Sequence, residues 1–487
     1  MSQLTRDRDA GRGRRTVSRR RFVQTVGAGG VGVGAVGTGT IIGSAQEDDD
    51  VRLQWAASEE EGEEVDAIND AFHDAGLSEN ITIEILPGGD VTDDRRQQYQ
   101  QWLAAGRTQP DILRMDTGWT IPFIQRDQLV NLSEELDDDT VDRVEEDYFD
   151  MTVASVTGED GDLYGIPLWA GLPTIQYRKD LVEEAGYDPE GEDWATESMH
   201  WEEFNEMVAD VQDEHDLGHG FTFQADVYEG LSCCNFNEFM TSWGGAYFGG
   251  EEYLFGPVGD RPVTAGDEPT MEAMRMVQSF LYGDDAEEGL DGYEQITPED
   301  VLNWTEPESA LPFEEGDAVA NRNWPFFVGV HGDDDVFGED LGVMPIPYGV
   351  EEDEAEYPGT GGPVASLGGW NLSVNPNTEY MDEALEVVEV ATSDEFNLDI
   401  FEILGQIPPK PHVLEEDEAE DVEVMGRYLD TFRVAGENAM PRPVTVVWPD
   451  QSTQIAQLAH AGISGSVPVE DAAGDMEAVL EDIEGTT

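Results

Sequence analysis

Four of the tryptophans that lie within two residues of a glycine or proline, and one arginine between two prolines, are well suited to contact a ligand. They are Trp119, Trp169, Trp324, Trp370 and Arg442. Flat indole faces stack on the apolar face of a sugar ring, whereas carboxylates and arginines hydrogen-bond the hydroxyl edges. A single tryptophan is more often a core residue than a ligand contact, but the set as a whole indicates a sugar-binding site.

Catalytic and metal-binding patterns are weak in this chain. His215 and His219 are four residues apart, but Gly218 interrupts the helix and the glutamate that a zinc protease places between them is absent. With 108 acidic residues, no pair of carboxylates can be singled out. No nucleophile elbow, P-loop or EF-hand loop occurs. The sequence therefore predicts no catalytic residue, no metal site and no cofactor.

A glycine repeat near the N-terminus imitates a dinucleotide-binding fingerprint. Gly27, Gly29 and Gly32 have its spacing, and Glu47 lies near the position of the ribose-binding acid. The fingerprint needs a strand before it and a helix opening at its third glycine, whereas here glycine simply recurs. We therefore do not assign a dinucleotide site to this repeat. A secreted dehydrogenase stays an alternative, which detectable bound nicotinamide would support.

The charge of the chain limits its partners. Its 487 residues include 24 Lys and Arg against 108 Asp and Glu, a net charge of −84. Such a charge repels nucleic acids and anionic lipids, so both are excluded as partners. High net charge often indicates disorder, but 39% hydrophobic and 9% aromatic residues favour folded domains. We interpret the surface as adapted to concentrated salt, where the Debye length falls to about 3 Å at 1 M.

Residues 1–45 are predicted to be an export signal rather than part of the fold. The run SRRRF at 18–22 is followed by uncharged, mostly small residues, which is the pattern of a twin-arginine signal. No cysteine near the end of this segment could carry a lipid. We therefore predict a soluble protein outside the cell or at its surface, with an uncleaved anchor as the alternative.

The chain has only two cysteines, and they are adjacent, at Cys233 and Cys234. We expect two buried thiols, because free cysteine is among the most buried residue types. In an exported protein a vicinal disulfide is the other state that the pair could adopt.

From residue 51 onward, apolar residues recur with the periods of strands and helices. Residues 51–56, 81–86 and 111–115 have the pattern of strands, and 65–72 and 95–106 that of helices. Repeated β-α-β order with short connections predicts an α/β fold with a parallel sheet. Trp201 heads an apolar row at helical spacing and is predicted to lie on a buried helix face. Later helices are predicted at 380–391, 395–404, 417–433 and within 451–487.

The stretch 163–180 is where this acidic chain loses its charge, since 165–177 contains no charged residue. It resembles a buried strand interrupted by Pro167, Gly171 and Pro173, so it is predicted to bend. Trp169 is predicted to be exposed at that bend, where a ligand could approach backbone and indole together.

Six blocks of the sequence carry a further signal: PDILRMDTGWTIPFIQRDQLVNL, LYGIPLWAGLPTIQYRKDLVEEAGY, YEGLSCCNFNEFMTSWGG, GDAVANRNWPFFVGVH, LGGWNLSV and ENAMPRPVTVVWP. In this order, from about residue 51 to the C-terminus, they resemble the trehalose/maltose-binding proteins of ABC sugar importers. The resemblance implies a two-lobed periplasmic-binding-protein (Venus flytrap) fold of the maltose-binding-protein type, which closes over a sugar. The implied crossings between lobes are 165–177, 366–371 and about 425–436. The implied lobes are 47–168 plus 371–430 for lobe 1, and 169–367 plus 435–487 for lobe 2.

The resemblance also assigns ligand contacts residue by residue. Those in the first lobe and at the first crossing are Glu61, Arg95, Asp116 and Trp169, with Glu59, Glu60 and Glu63 as neighbours that compete for the register of Glu61. Those in the second lobe are Trp324, Gly368, Trp370 and Arg442. One departure matters, because Gly171 stands where the family has an acidic residue two positions after the crossing aromatic. Loss of a carboxylate that bridges sugar hydroxyls could cost about 1.5–3 kcal/mol and change the preferred sugar.

These expectations combine into one predicted function. The chain would capture a mono- or disaccharide, either glucose or an α-linked disaccharide like trehalose or maltose, and deliver this sugar to the permease subunits of an ABC importer. The protein itself is predicted to be a monomer. The alternative is a secreted glycoside hydrolase, which would need two carboxylates fixed about 5–9.5 Å apart across one glycosidic bond.

Overall fold

Two β-sheets organise residues 50–88 and 92–486, the part of the chain that the computed structural model describes. The strands are β1 (Val51–Ala57), β2 (Ile81–Pro87), β3 (Ile112–Asp116), β4 (Ile166–Gly171), β5 (Thr174–Arg178), β6 (His219–Thr222), β7 (Ala318–Asn323), β8 (Leu341–Met344), β9 (Ala365–Val374) and β10 (Ala439–Pro441). The predicted export signal at 1–45 and the glycine motif with Glu47 fall outside the described residues.

The first sheet has the strand order β10-β9-β3-β1-β2, and β4 also pairs with β9. β1 runs parallel to β2 and β3, whereas β9 runs antiparallel to β3 and β4. The three strands predicted at 51–56, 81–86 and 111–115 are therefore confirmed, together with their parallel arrangement. All residues of β3 are buried, as expected of a strand covered on both faces.

The second sheet has the order β6-β7-β5-β8. The chain passes into it from the first sheet between Gly171, which ends β4, and Thr174, which begins β5. Pro173 lies between them and has no N–H to donate to a strand ladder. The predicted bend is thus confirmed. The predicted exposure of Trp169 is wrong, because this side chain is 3% exposed within β4.

Helices flank both sheets. Within the described residues the α-helices are α1 (Glu59–Glu63), α2 (Val65–Asp74), α3 (Thr92–Ala104), α4 (Thr120–Ile124), α5 (Leu132–Glu135), α6 (Asp138–Asp147), α7 (Asp150–Ala154), α8 (Lys179–Glu184), α9 (Trp201–His215), α10 (Phe236–Ser242), α11 (Glu268–Tyr282), α12 (Glu306–Glu314), α13 (Pro325–His331), α14 (Met381–Ala391), α15 (Asp394–Leu404), α16 (Asp417–Glu420), α17 (Leu429–Glu437), α18 (Trp448–Ile463) and α19 (Val469–Glu484). None of these helices is long and apolar enough to cross a membrane.

The single helix predicted at 417–433 is wrong. It is divided into α16, a short 3-10 helix at Met425–Tyr428, and α17. Val424, which precedes the 3-10 turn, has a φ of 64°, in the left-handed region that a β-branched residue rarely adopts. A Cβ on Gly426 would lie 2.5 Å from the carbonyl oxygen of Glu420, so this tight passage requires glycine. The other helices predicted near the C-terminus are confirmed by α14, α15, α18 and α19.

Trp201 belongs to the core, as predicted. It is 1% exposed at the start of α9, and its Nε1 donates to Ser242 Oγ at 2.9 Å. Its ring meets the edges of Phe204 and Phe239, each with a centroid distance of 5.6 Å. An indole that is buried with its N–H paired contributes packing rather than a free binding face.

The expectation of two free thiols is wrong. Cys233 and Cys234 form a vicinal disulfide inside the π-helix Leu231–Asn235, which leads directly into α10. Both residues are buried, at 4% and 2% exposure. Burial alone could not distinguish the two states, because a buried thiol and a buried disulfide have the same sequence pattern.

Candidate functional site

The register of β3, β4 and β9 brings three of the predicted site residues side by side. Trp370 in β9 is opposite Asp116 of β3 on one side and opposite Trp169 of β4 on the other. Directly opposed residues on neighbouring strands point to the same face of a sheet. The carboxylate and the two indoles therefore share one face at the ends of these strands.

Arg114 lies on that same face, two residues before Asp116. Its guanidinium is 3.8 Å from the ring centroid of Trp370 and 5.6 Å from that of Trp169, which is within the range of a cation–π contact. It also forms a buried ion pair with Glu61. Arg114 thus connects two predicted tryptophans with the predicted acidic contact.

Glu61 is the buried member of the competing glutamates, since Glu59, Glu60 and Glu63 are exposed. Its carboxylate accepts from the Ser58 hydroxyl and, at 3.0 Å, from the Ser58 N–H. Burial alone would raise the pKa of the Glu61 carboxyl, but the guanidinium of Arg114 and the hydroxyl of Ser58 hold that pKa below its usual value. The carboxylate is therefore charged and fixed in place at neutral pH.

Arg95 and Trp119 also lie against Trp370. The guanidinium of Arg95, from α3, is 4.9 Å from the Trp370 ring centroid. Burial, followed by the nearby charge of Arg114, lowers the pKa of Arg95. Trp119 meets the Trp370 ring edge-on at a centroid distance of 6.4 Å and is itself 1% exposed. In this conformation Trp119 is therefore a buried residue that packs against Trp370.

A chain of charges joins the first sheet to the C-terminal part of the molecule. Arg442 Nη2 lies 3.5 Å from Asp116 Oδ1, and its Nη1 lies 3.2 Å from Glu229 Oε1. The same Glu229 oxygen accepts from Trp448 Nε1 at 3.3 Å. Burial raises the pKa of the Asp116 carboxyl, and the Arg442 charge opposes that rise. A Cβ on Gly118 would lie 2.2 Å from Arg442 Nη1, so a larger residue here would displace the guanidinium from its present position.

Trp324 and Gly368 form a second cluster of predicted site residues. Trp324 follows β7 and caps the N-terminus of α13, and it is partly buried. A Cβ on Gly368 would lie 2.7 Å from Trp324 Cζ3, so the indole packs directly on backbone. The guanidinium of Arg322 lies 4.9 Å from the Trp324 ring centroid.

Gly171, which stands where the resembled family has an acidic residue, is closely packed against the neighbouring strand. Gly171 is opposite Gly368 in the pairing of β4 with β9. A Cβ on Gly171 would lie 2.9 Å from the backbone nitrogen of Gly369 and 3.1 Å from the carbonyl carbon of Gly368. An acidic side chain therefore has no room here without separating the two strands.

All nine predicted site residues thus lie in two neighbouring groups around Trp370 and Trp324. Sequence reasoning missed Arg114, Glu229 and Arg322. Arg114 had a usable signal, because it is the one charged residue inside an otherwise apolar run of β3 (112–115). Glu229 had none, since it is one of 108 acidic residues.

Known proteins resemble this chain over most of its length. Residues 66–425 match the family described as bacterial extracellular solute-binding protein. A probable ABC transporter-binding protein of Deinococcus radiodurans is 25% identical over 372 residues, which are 75% of this chain and 77% of that protein. The maltose-bound MalE3 of T. maritima has 26% identity and a TM-score of 0.69, covering 88% of this chain and 99% of that one. The GacH receptor of Streptomyces glaucescens, solved with acarbose, has a TM-score of 0.66 at 18% identity, covering 89% and 98%.

Proposed function

Because the chain belongs to the family of bacterial extracellular solute-binding proteins, we propose that it captures a neutral sugar and delivers it to an ABC importer. The likeness to maltose-bound MalE3 confirms the predicted α/β fold of the maltose-binding-protein type, with its two sheets in two lobes. For this chain, a mono- or disaccharide such as glucose, trehalose or maltose is the ligand class that the proposal names.

One observation carries the proposal, namely a cluster of tryptophans whose neighbouring charges balance. Four arginines and four carboxylates lie against the tryptophans or pair with one another beside them: Arg95, Arg114, Arg322, Arg442, Glu61, Asp116, Glu229 and Glu238. A cleft with no surplus charge favours a neutral ligand, because desolvating a charged one would leave a charge uncompensated. The indole faces suit the apolar face of a sugar ring, and the charged hydrogen-bonding groups suit its hydroxyl edge.

The proposed lobes match the two sheets only in part, because β10 and the last residues of β4 belong to the first sheet but fall within the bounds of lobe 2. We assign 47–168 plus 371–430 to lobe 1 and 169–367 plus 435–487 to lobe 2. The passage from β4 in the first sheet to β5 in the second, at 171–174, supports a boundary close to the proposed one between 168 and 169. The contact of Trp324, which follows β7 of the second sheet, with Gly368 in β9 of the first sheet would then form when the lobes close.

The proposed location is outside the cell, reached by the twin-arginine route, in an organism that lives in concentrated salt. The support is the SRRRF run at 18–22 and the net charge of −84. Replacing Arg19 and Arg20 by Lys should leave the protein in the cytoplasm, because the arginine pair is an address read by a receptor. Normal secretion of this variant would exclude the route. The proposal also makes the protein a monomer without enzymatic activity.

A thermal-unfolding screen of sugars in molar KCl tests the function. A sugar present at a hundred times its dissociation constant should raise stability by about 2.7 kcal/mol. The same samples should be analysed for released monosaccharide after the scan. If no mono- or disaccharide shifts the melting temperature, the receptor proposal is wrong, and accumulation of hydrolysis products would favour the glycoside hydrolase instead.

A further inference from the structure

The vicinal disulfide lies in an unusual piece of backbone beside the cleft. The π-helix Leu231–Asn235 contains Cys233 and Cys234 and continues into α10 without a break. Single π-turns are rare and occur frequently at functional sites. The residues before and after this turn contact two different arginines of the cleft.

The N-terminal side of the turn holds Arg442. Glu229 lies two residues before the π-helix, and its Oε1 accepts from Arg442 Nη1 at 3.2 Å and from Trp448 Nε1 at 3.3 Å. Ser232, inside the turn, donates from Oγ to the Glu229 carbonyl at 2.9 Å. The carbonyl of Ser232 accepts from the Tyr247 hydroxyl at 2.9 Å. The position of Glu229 therefore depends on the conformation of the turn.

The C-terminal side of the turn holds Arg322. Asn235 Nδ2 donates to Gln224 Oε1 at 2.9 Å, and the same oxygen accepts from Arg322 Nη1 at 3.0 Å. One turn further, Glu238 on α10 forms a bidentate pair with Arg322, at 2.7 Å to Nε and 2.5 Å to Nη2. Arg322 in turn lies 4.9 Å from the Trp324 ring centroid.

We propose that the Cys233–Cys234 disulfide is a positioning element of the sugar cleft, which fixes the turn that holds Arg442 through Glu229 and Arg322 through Asn235. This inference rests on the proposed function. The bond between neighbouring side chains closes a small ring and removes rotamer freedom from both residues. Order that is present before the ligand arrives does not have to be gained on binding, so affinity rises.

The test compares sugar affinity with the disulfide present and absent. The variants are the double substitution Cys233→Ser with Cys234→Ser, and wild-type protein reduced by a dithiol. In the reduction the S–S bond breaks, each Sγ takes one proton, and the dithiol gives up two electrons and leaves as its own disulfide. The double variant treated with the same dithiol is the matched control, because it has no disulfide to lose.

We expect both forms to bind the sugar about tenfold more weakly than oxidised wild type, with no further loss when the double variant meets the dithiol. Adding Glu229→Gln to the double variant should weaken binding by less than the product of the separate effects, because both changes act through Arg442. If the double variant does not fold, reduced wild type alone decides the question.

Three results would overturn the inference. Unchanged affinity with a lowered melting temperature would assign the disulfide to stability alone. Two alkylatable thiols in unfolded protein that never met the dithiol would show that the bond does not form. If oxidised wild type binds no sugar, the proposed function fails, and this inference fails with it. In the first two cases wild-type protein still binds sugar, so only the inference fails.

Discussion

Two tryptophans with different surroundings separate packing from binding. Trp201 is 1% exposed and paired with Ser242, whereas Trp324 is partly buried and packs on Gly368. We expect Trp201→Ala to lose about 3–5 kcal/mol of stability, because it leaves a cavity in the core. Trp324→Ala should melt near wild type without sugar and lose most of the sugar-induced rise in melting temperature.

Thermal unfolding with and without sugar measures both effects on the same samples. Trp201→Ala serves as the control, since it should keep its binding wherever it still folds. A Trp324→Ala protein that unfolds as readily as Trp201→Ala and binds sugar with full affinity would mean that Trp324 is a core residue.

The second residue-scale prediction concerns the space at Gly171. In Gly171→Ala the new Cβ would lie 2.9 Å from the backbone nitrogen of Gly369, so β4 and β9 must move apart. We expect a loss of about 1–3 kcal/mol, typical of overpacking. The matched control is Gly474→Ala in α19, where a Cβ has nothing within 4 Å and alanine should stabilise the helix by about 1 kcal/mol. Equal stability of the two variants in denaturant unfolding would contradict the packing at Gly171.

At this scale the sequence predicted residue types better than their partners. Trp324, Trp370 and Arg442 stand out because each lies beside glycine or proline. The ion pair between Arg114 and Glu61 could not be found this way, since it joins residues 53 positions apart in the chain. Partners of that kind become visible only when the strands are placed side by side.

Among the elements, the start of α15 depends on a buried lysine. Lys410 is 0% exposed, and its Nζ donates to the Thr392 carbonyl at 2.5 Å and to Asp394 Oδ1 at 2.7 Å. Burial alone would raise the pKa of Asp394, but Lys410 and then His412 hold it below the usual value. A depressed carboxyl pKa stabilises the fold above the unfolded pKa of about 3.9, and this contribution is lost as the pH falls through the folded pKa.

We therefore expect Asp394→Asn to be less stable than wild type at neutral pH, and the difference to shrink in acid as the wild-type carboxylate is protonated. Denaturant unfolding between about pH 7 and pH 3 measures it. The control is Glu437→Gln, whose partner Arg433 lies on an exposed helix surface, so its effect should stay below about 1 kcal/mol. A difference between Asp394→Asn and wild type that is constant with pH would contradict the role of this pair.

Elements with a clear period were predicted well, and irregular ones were not. The strands β1, β2 and β3 and the helices α2, α3, α14 and α15 follow from apolar spacing alone. The helix predicted at 417–433 failed because the positive φ of Val424 has no signature in the sequence. Trp169 was expected to be exposed because of its flanking breakers, but pairing of β4 with β9 and contact with Arg114 bury it.

For the whole molecule, the order of the elements was predictable, whereas the contacts between residues far apart in the chain were not. The resemblance implied two lobes, and the two sheets agree with that, whereas the three implied crossings stay a prediction. The contact between Asp116 and Arg442 joins residues far apart in the chain, which the first sheet brings together at the ends of β3 and β10. The excess of negative charge that gives the chain its net charge of −84 lies elsewhere, because the arginines and carboxylates around the indoles balance each other.

That balance is the central claim, and calorimetric titration in molar KCl tests it most directly. The ligands are glucose, maltose and trehalose, each compared with a matched analogue that carries one carboxylate or one ammonium group. We predict that at least one neutral sugar binds and that its charged analogues bind at least about a hundredfold more weakly, since each would bring an uncompensated charge into the cleft. Tight binding of a charged analogue, with no heat from any neutral sugar, would contradict the account.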